Sequence, residues 1–177
     1  MSEATPVPED FHTITPHLVV RDAAQAVAFY EQALGAEELY RNLGPDGRSI
    51  VHSELLLGDS RFFVNEEFAE HSQHSPLHYT GTPVTLHLYV SDVDVLFARA
   101  VDAGAEIMIE LADQFWGDRY GRLRDPFGHE WSLASRIDDL SPSEIHQRAA
   151  AAFSTPDTLE PTPTVPADDP RAESSRP

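Results

Sequence analysis

Cysteine is absent from the 177 residues. Disulfides, thiolate metal centres and cysteine nucleophiles are therefore excluded. Basic residues are scarce: 12 Lys and Arg stand against 30 Asp and Glu, a net charge of −18. Phosphate recognition needs a basic footprint, so no nucleic-acid partner is expected, and no anionic membrane surface either. Long apolar runs are missing too, so no membrane span is expected. The N-terminus, MSEATPVPEDFH, lacks the basic start and apolar stretch of a secretory signal, and a cytoplasmic protein is expected. A phosphate-binding glycine loop, a nucleophile elbow and an HExxH zinc motif are all missing. The acidic balance reads first as a solvated surface and second as compatible with a cationic ligand.

What the chain does contain is a repetition. TPHLVVRD (15–22) returns as TLHLYVSD (85–92). Thr15 and Thr85, His17 and His87, Leu18 and Leu88, Val20 and Val90, and Asp22 and Asp92 coincide. Each copy precedes an amphipathic helix ending in glycine, Gly35 or Gly104, which suits the left-handed position after a helix. The offset is 70 positions at the threonines and 69 at the glycines, so the first helix carries one extra residue. Self-similarity of this length points to a duplicated structural unit.

Strand-like segments follow each helix: 38–42, 49–57 and 61–65 in the first copy, then 106–110, 119–124 and 130–135 in the second. GPDG, GDS and DPFG supply turns between them. The spacing predicts an α+β fold of two β-α-β-β-β modules, forming a curved open-barrel sheet around a trough. Module one covers 12–69, a breaker-rich linker 70–83, module two 84–135, and a C-terminal helical segment 136–153. Ser141, Pro142 and Glu144 give that helix its capping box. Residues 1–11 and the Pro-rich acidic tail 154–177 are expected to be disordered.

The opening PHLVVRD…AFYEQALGAEE and the closing FWGDRYGRLRDPFGHEWSLAS resemble the vicinal oxygen chelate superfamily. That group includes glyoxalase I, bleomycin resistance proteins and extradiol dioxygenases, and the closing stretch is most similar to the PhnB-like branch. The resemblance covers about residues 12–153. It implies a small organic ligand, and a homodimer is expected. Metal-dependent relatives draw their ligands from positions that fall here on Thr15, Thr85, Ser132 and, in the first module, near Phe62. None is a usual metal ligand, so no metal or other cofactor is expected.

Strand alternation points His17 and His87 into the trough, because Leu18, Val20, Leu88 and Val90 belong against the helices. The candidate ligand-binding set is His17, His87, Trp116, Arg119, Tyr120 and Glu130: aromatic walls with a cation for an anionic group. An alternative keeps Trp116 in a core or interface and has Asp118 and Arg119 pin the loop. DPFG is read as turn chemistry alone. His71, His74 and His78 are read as a solvated linker loop. The functional expectation is a metal-independent small-molecule-binding protein, with drug sequestration as one form. The alternative is a lyase, isomerase or dioxygenase using a divalent metal at a rearranged site around His17 and His87. No catalytic residue is assigned.

Overall fold

A computed structural model describes residues 5–8 and 10–154. The proline-rich tail, apart from Ser154, lies outside the described residues. The first unit, up to Asp139, holds both modules. Module one runs β1 (His17–Val20), α1 (Ala23–Phe29), β2 (Glu37–Leu43), β3 (Ile50–Leu57) and β4 (Ser60–Glu66). Module two runs β5 (Thr85–Tyr89), α2 (Val93–Asp102), β6 (Glu106–Asp113), β7 (Asp118–Arg124) and β8 (Glu130–Arg136). Each module makes one curved four-stranded sheet, in the orders β1-β4-β3-β2 and β5-β8-β7-β6. In both, the first strand lies parallel to the last and the remaining pairs are antiparallel. The expected α+β duplication is therefore present, and the sheets remain open.

Both helices begin on the repeated aspartate. Asp22 accepts from the Gln25 amide and Asp92 from the Val95 amide, each satisfying an otherwise orphaned donor. Their apolar residues recur at three- and four-residue spacing: Ala23, Ala26, Val27 and Tyr30 in one, Val93, Leu96, Phe97 and Ala100 in the other. These faces pack on Leu18, Val20, Leu55, Phe62, Val64, Trp131 and Leu133 in one core.

The extra residue of the first helix has a definite location. After Phe29 the helix widens into a π turn, Tyr30–Leu34, before Gly35 ends it at φ 78°. An inserted residue absorbed as a π turn keeps the flanking helix in register. Module two continues as plain α-helix to Asp102. The Arg99 Nε on α2 donates to the Ala33 carbonyl at 2.9 Å, at this widened end. Gly121 is required for a different reason. A Cβ there would come within 2.5 Å of the Phe97 ring, so only glycine lets that ring lie against β7.

The linker contains two short 3-10 turns, Ala69–His71 and Pro76–His78. His74 and His78 stack with their rings 4.0 Å apart. Asp10 and Phe11, expected within a disordered N-terminus, instead hold contacts with Arg61 and Phe63. The second unit begins at Leu140 and carries α3 (Pro142–Phe153), opened by the predicted Ser141/Glu144 capping box. Among the described residues, no helix is long and apolar enough to cross a membrane.

Candidate functional site

The sheet of module two presents a polar and aromatic face whose rows follow from strand register. Thr85, Glu130, Arg124 and Glu106 form one row, and His87, Ser132, Arg122 and Ile109 the next. Tyr89, Ala134, Tyr120 and Ala112 form a third. Rows on one face lie about 6.6–6.8 Å apart along the strands.

The middle of this face is an aromatic nest. His87 Nδ1 and Ser132 Oγ share a hydrogen bond of 2.7 Å, which orients the imidazole. Tyr120 stacks on that ring, 6.2 Å between centroids and 18° between planes. Tyr89 meets it edge-on at 4.6 Å, and Trp116 meets Tyr120 edge-on at 5.7 Å. Asp118 underlies the group. It is 4% exposed, and its Oδ2 accepts from Tyr89 Oη at 2.8 Å and from Trp116 Nε1 at 3.0 Å. The hydrogen bond to Asp118 holds the Tyr89 phenol above its ordinary range, with burial adding to it.

Glu130 is placed on this face but not as a free acceptor. Its carboxylate is buried and is taken by Arg122 at 2.6 Å and Arg124 at 3.1 Å. The face therefore offers the two half-exposed guanidiniums, with Arg122 Nε buried and unpartnered. Arg119 departs from the expected set. It alternates with Tyr120 along β7 and points to the other face, where it donates to Asp94 of α2 at 2.7 and 2.8 Å and to Asp113 of β6 at 2.9 Å. Three anchored donors on the opposite face from His87 remove it from the ligand wall.

His17 lies in a separate cluster on module one. Its ring meets His52 at 6.2 Å and Phe63 at 5.6 Å, while Tyr40 packs on His52 and Phe11 on Phe63. Arg61 pairs with Glu54 and with Asp10 and lies over the Phe11 ring. Burial lowers the His17 pKa; the Asn65 side chain opposes this and His52 adds to it. Among the described residues, every ring contact of His17 is to His52 or Phe63 and every one of His87 is to Tyr89 or Tyr120. The two histidines thus sit in two ring clusters, one on each sheet.

The metal positions of the resemblance can be tested on register. His87 lies opposite Ser132 and His17 opposite Phe63, so the module-one position is Phe63. Phe62 points the other way, into the core beside Tyr30 and Trp131. Two threonines, a serine and a phenylalanine offer neutral hydroxyls and a ring, a donor set that does not fit a divalent ion. Among the described residues, no three His, Asp or Glu side chains are grouped to hold one.

Asp118, Tyr89, Ser132 and Arg122 were not in the expected set. Each was accessible from alternation: Tyr89 is two residues from His87, and Asp118 and Arg122 flank Tyr120 by two. The DPFG aspartate also does more than turn chemistry. Asp125 is 3% exposed and accepts from Tyr30 Oη and Trp131 Nε1, and from the Phe127 and His129 amides, all at 2.9 Å. It fastens module two to the helix of module one.

Comparison with known proteins agrees with this architecture. The chain matches the family model of the glyoxalase/bleomycin resistance protein/dioxygenase superfamily over residues 11–133. An uncharacterized protein of Mycobacterium tuberculosis is 44% identical over 135 residues, 75% of this chain and 79% of the relative. The crystal structure of an Arabidopsis thaliana gene product superposes with TM-score 0.57 at 32% identity, covering 70% of this chain and 98% of that one. TioX from Micromonospora gives TM-score 0.55 at 27% identity, with 70% and 98% coverage. The fosfomycin resistance protein FosX of Listeria monocytogenes, solved with Mn(II) and sulfate, shares the fold at 18% identity and TM-score 0.57, over 78% of this chain and 97% of that one. With two matched modules, the same strand order in each and a family match spanning both, the chain belongs to the glyoxalase/bleomycin resistance protein/dioxygenase superfamily.

Proposed function

We propose that this protein binds a small organic ligand on the aromatic face of module two, without a resident metal. The observation that carries the reading is the shared acceptor. One buried carboxylate oxygen fixes Tyr89 and Trp116, and Tyr120 stacks on a histidine that Ser132 orients. Preorganised aromatic surface with few placed polar groups is the usual make-up of a small-molecule site. Arg122 and Arg124 supply a cationic border for an anionic substituent, and the net charge of −18 favours approach of ligands that are cationic overall. Drug sequestration is the finer form of this reading.

A homodimer belongs to the same proposal. Tyr40 and Ile109 are 49 and 43% exposed on the two sheet faces, apolar surface outside the aromatic nest that a second copy would cover. The metal-dependent alternative has no observation in its favour, since its two histidines lie in separate clusters. The test is a thermal-shift screen with cationic glycopeptide-type drugs against the wild type and Tyr120→Ala. A ligand at 100 times its dissociation constant raises stability by about 2.7 kcal/mol. A shift lost in the variant supports the site, and equal shifts in both proteins refute it.

A further inference from the structure

The duplication has two seams between modules, and they are not filled alike. Each seam sets the turn before the last strand of one module against the free edge of the other module's first strand. At the first seam the turn is Asp125–His129. Phe127 is 8% exposed there and packs on Phe29 and Tyr30. His129 Nε2 donates to the Val19 carbonyl on the free edge of β1 at 3.1 Å. The seam is closed by one aromatic ring and one ring N–H.

The matching positions at the second seam follow from register. Val19 corresponds to Tyr89, since they lie opposite Asn65 and Ala134, and Phe62 corresponds to Trp131. The turn of module one is shorter by one residue. Residues 57–60 separate the pair Leu56/Arg61, whereas residues 125–129 separate Arg124/Glu130. It carries Gly58, Asp59 and Ser60 where the other carries Pro126, Phe127, Gly128 and His129. A Cβ on Gly58 would meet nothing within 4 Å. What remains is a cleft of about 560 Å³, lined by this turn, by Phe62, Leu86, Leu88 and Trp131, and by His12 and Arg61. The Val90 amide donates to β8, so by alternation the main-chain groups of His87 and Tyr89 point away from β8, toward the cleft.

We infer that this cleft is a second binding site, distinct from the aromatic face, for a compact aromatic molecule bearing a ring N–H. Its ring takes the place that Phe127 fills at the closed seam, and its N–H donates to the Tyr89 carbonyl as His129 donates to that of Val19. The volume is within the range of small-molecule sites. Phe62, Leu86, Leu88 and Trp131 give the ring an apolar bed, and Arg61 in the lining is already paired with Glu54 and Asp10, so a flat ring with a donor is favoured over an anion.

The probe is 4-phenylimidazole, which carries both parts in one molecule, followed by calorimetric titration of the full chain. Saturable binding is expected, weakened at least tenfold by 1-methylation of the imidazole, which removes the N–H. Ser60→Phe fills the cleft and is expected to weaken binding at least tenfold with the melting temperature unchanged or raised. Tyr120→Ala, on the aromatic face, is expected to leave the titration within twofold. Absence of saturable binding at millimolar probe, or equal affinity for the methylated compound, overturns the inference. So does binding lost in Tyr120→Ala and kept in Ser60→Phe, which would place the probe on the aromatic face. Should Ser60→Phe fail to fold, the methylated compound tests the N–H and Tyr120→Ala the location, and loss of binding in Tyr120→Ala overturns the inference.

Discussion

Tyr89 and Trp116 donate to the same oxygen of Asp118, at 2.8 and 3.0 Å. One strand and one loop are thereby fixed to each other through a buried anion. Replacing Asp118 by Ala is expected to release both rings and leave two donors without their acceptor, at a cost of about 1–3 kcal/mol. Tryptophan emission should shift to the red through Trp116, because Trp131 is buried against Asp125 and should not respond. Ligand-induced thermal shifts should disappear in the same variant.

Arg119 provides the opposite control. It is held by Asp94 and Asp113 on the helix side of β7, and these carboxylates are largely exposed. Arg119→Ala is expected to leave the chemical-denaturation midpoint nearly unchanged, because exposed ion pairs contribute little. Ligand affinity should stay within twofold. A large loss of affinity without unfolding would return Arg119 to the ligand wall.

Asp125 should be the costliest polar substitution in the protein. Asp125→Ala leaves Tyr30 Oη, Trp131 Nε1 and two amides without their acceptor, for an expected loss of roughly 3–5 kcal/mol. Tyr30→Phe removes a single donor and should cost about 1 kcal/mol. Urea denaturation of the two variants separates a buried acceptor hub from a simple turn residue.

Burial lowers the pKa of His129 from its ordinary 6.5, against the opposing pull of Asp125. The native state therefore binds fewer protons than the unfolded chain in this range, and stability rises with pH. The contribution is complete above 6.5 and is lost as pH falls from there toward the depressed native value. Urea midpoints should fall between pH 7.5 and 5.5. His129→Gln keeps a donor for Val19 without a titrating ring, and its midpoints should fall less over that interval.

Much of the fold was legible because both of its periodicities are local. Alternation in TPHLVVRD and TLHLYVSD gave two edge strands. The paired aspartates and glycines gave helix ends, and the change of offset revealed the residue that became the π turn at Tyr30–Leu34. The site was less legible. Arg119 and Tyr120 are adjacent on a strand, so alternation alone places them on opposite faces. Phe62 and Phe63 were one residue apart in a loosely matched strand, and only hydrogen-bond register separates core from face. That His17 and His87 lie in different clusters depends on how the modules dock. This is set by long-range contacts such as Tyr30 with Asp125 and His129 with Val19, which leave no local pattern.

The π turn also bears on how a doubled chain recognises itself. Two identical halves would present interchangeable helix ends, and either helix could dock in either role. One added residue gives the first helix a widened end whose Ala33 carbonyl receives Arg99, and Arg99 sits within reach of Gly35, 3.0 Å from where a Cβ would stand. The second helix has no such end. The insertion therefore acts as a key cut on one side only, so that the halves assemble as lock and key and not as two copies of either.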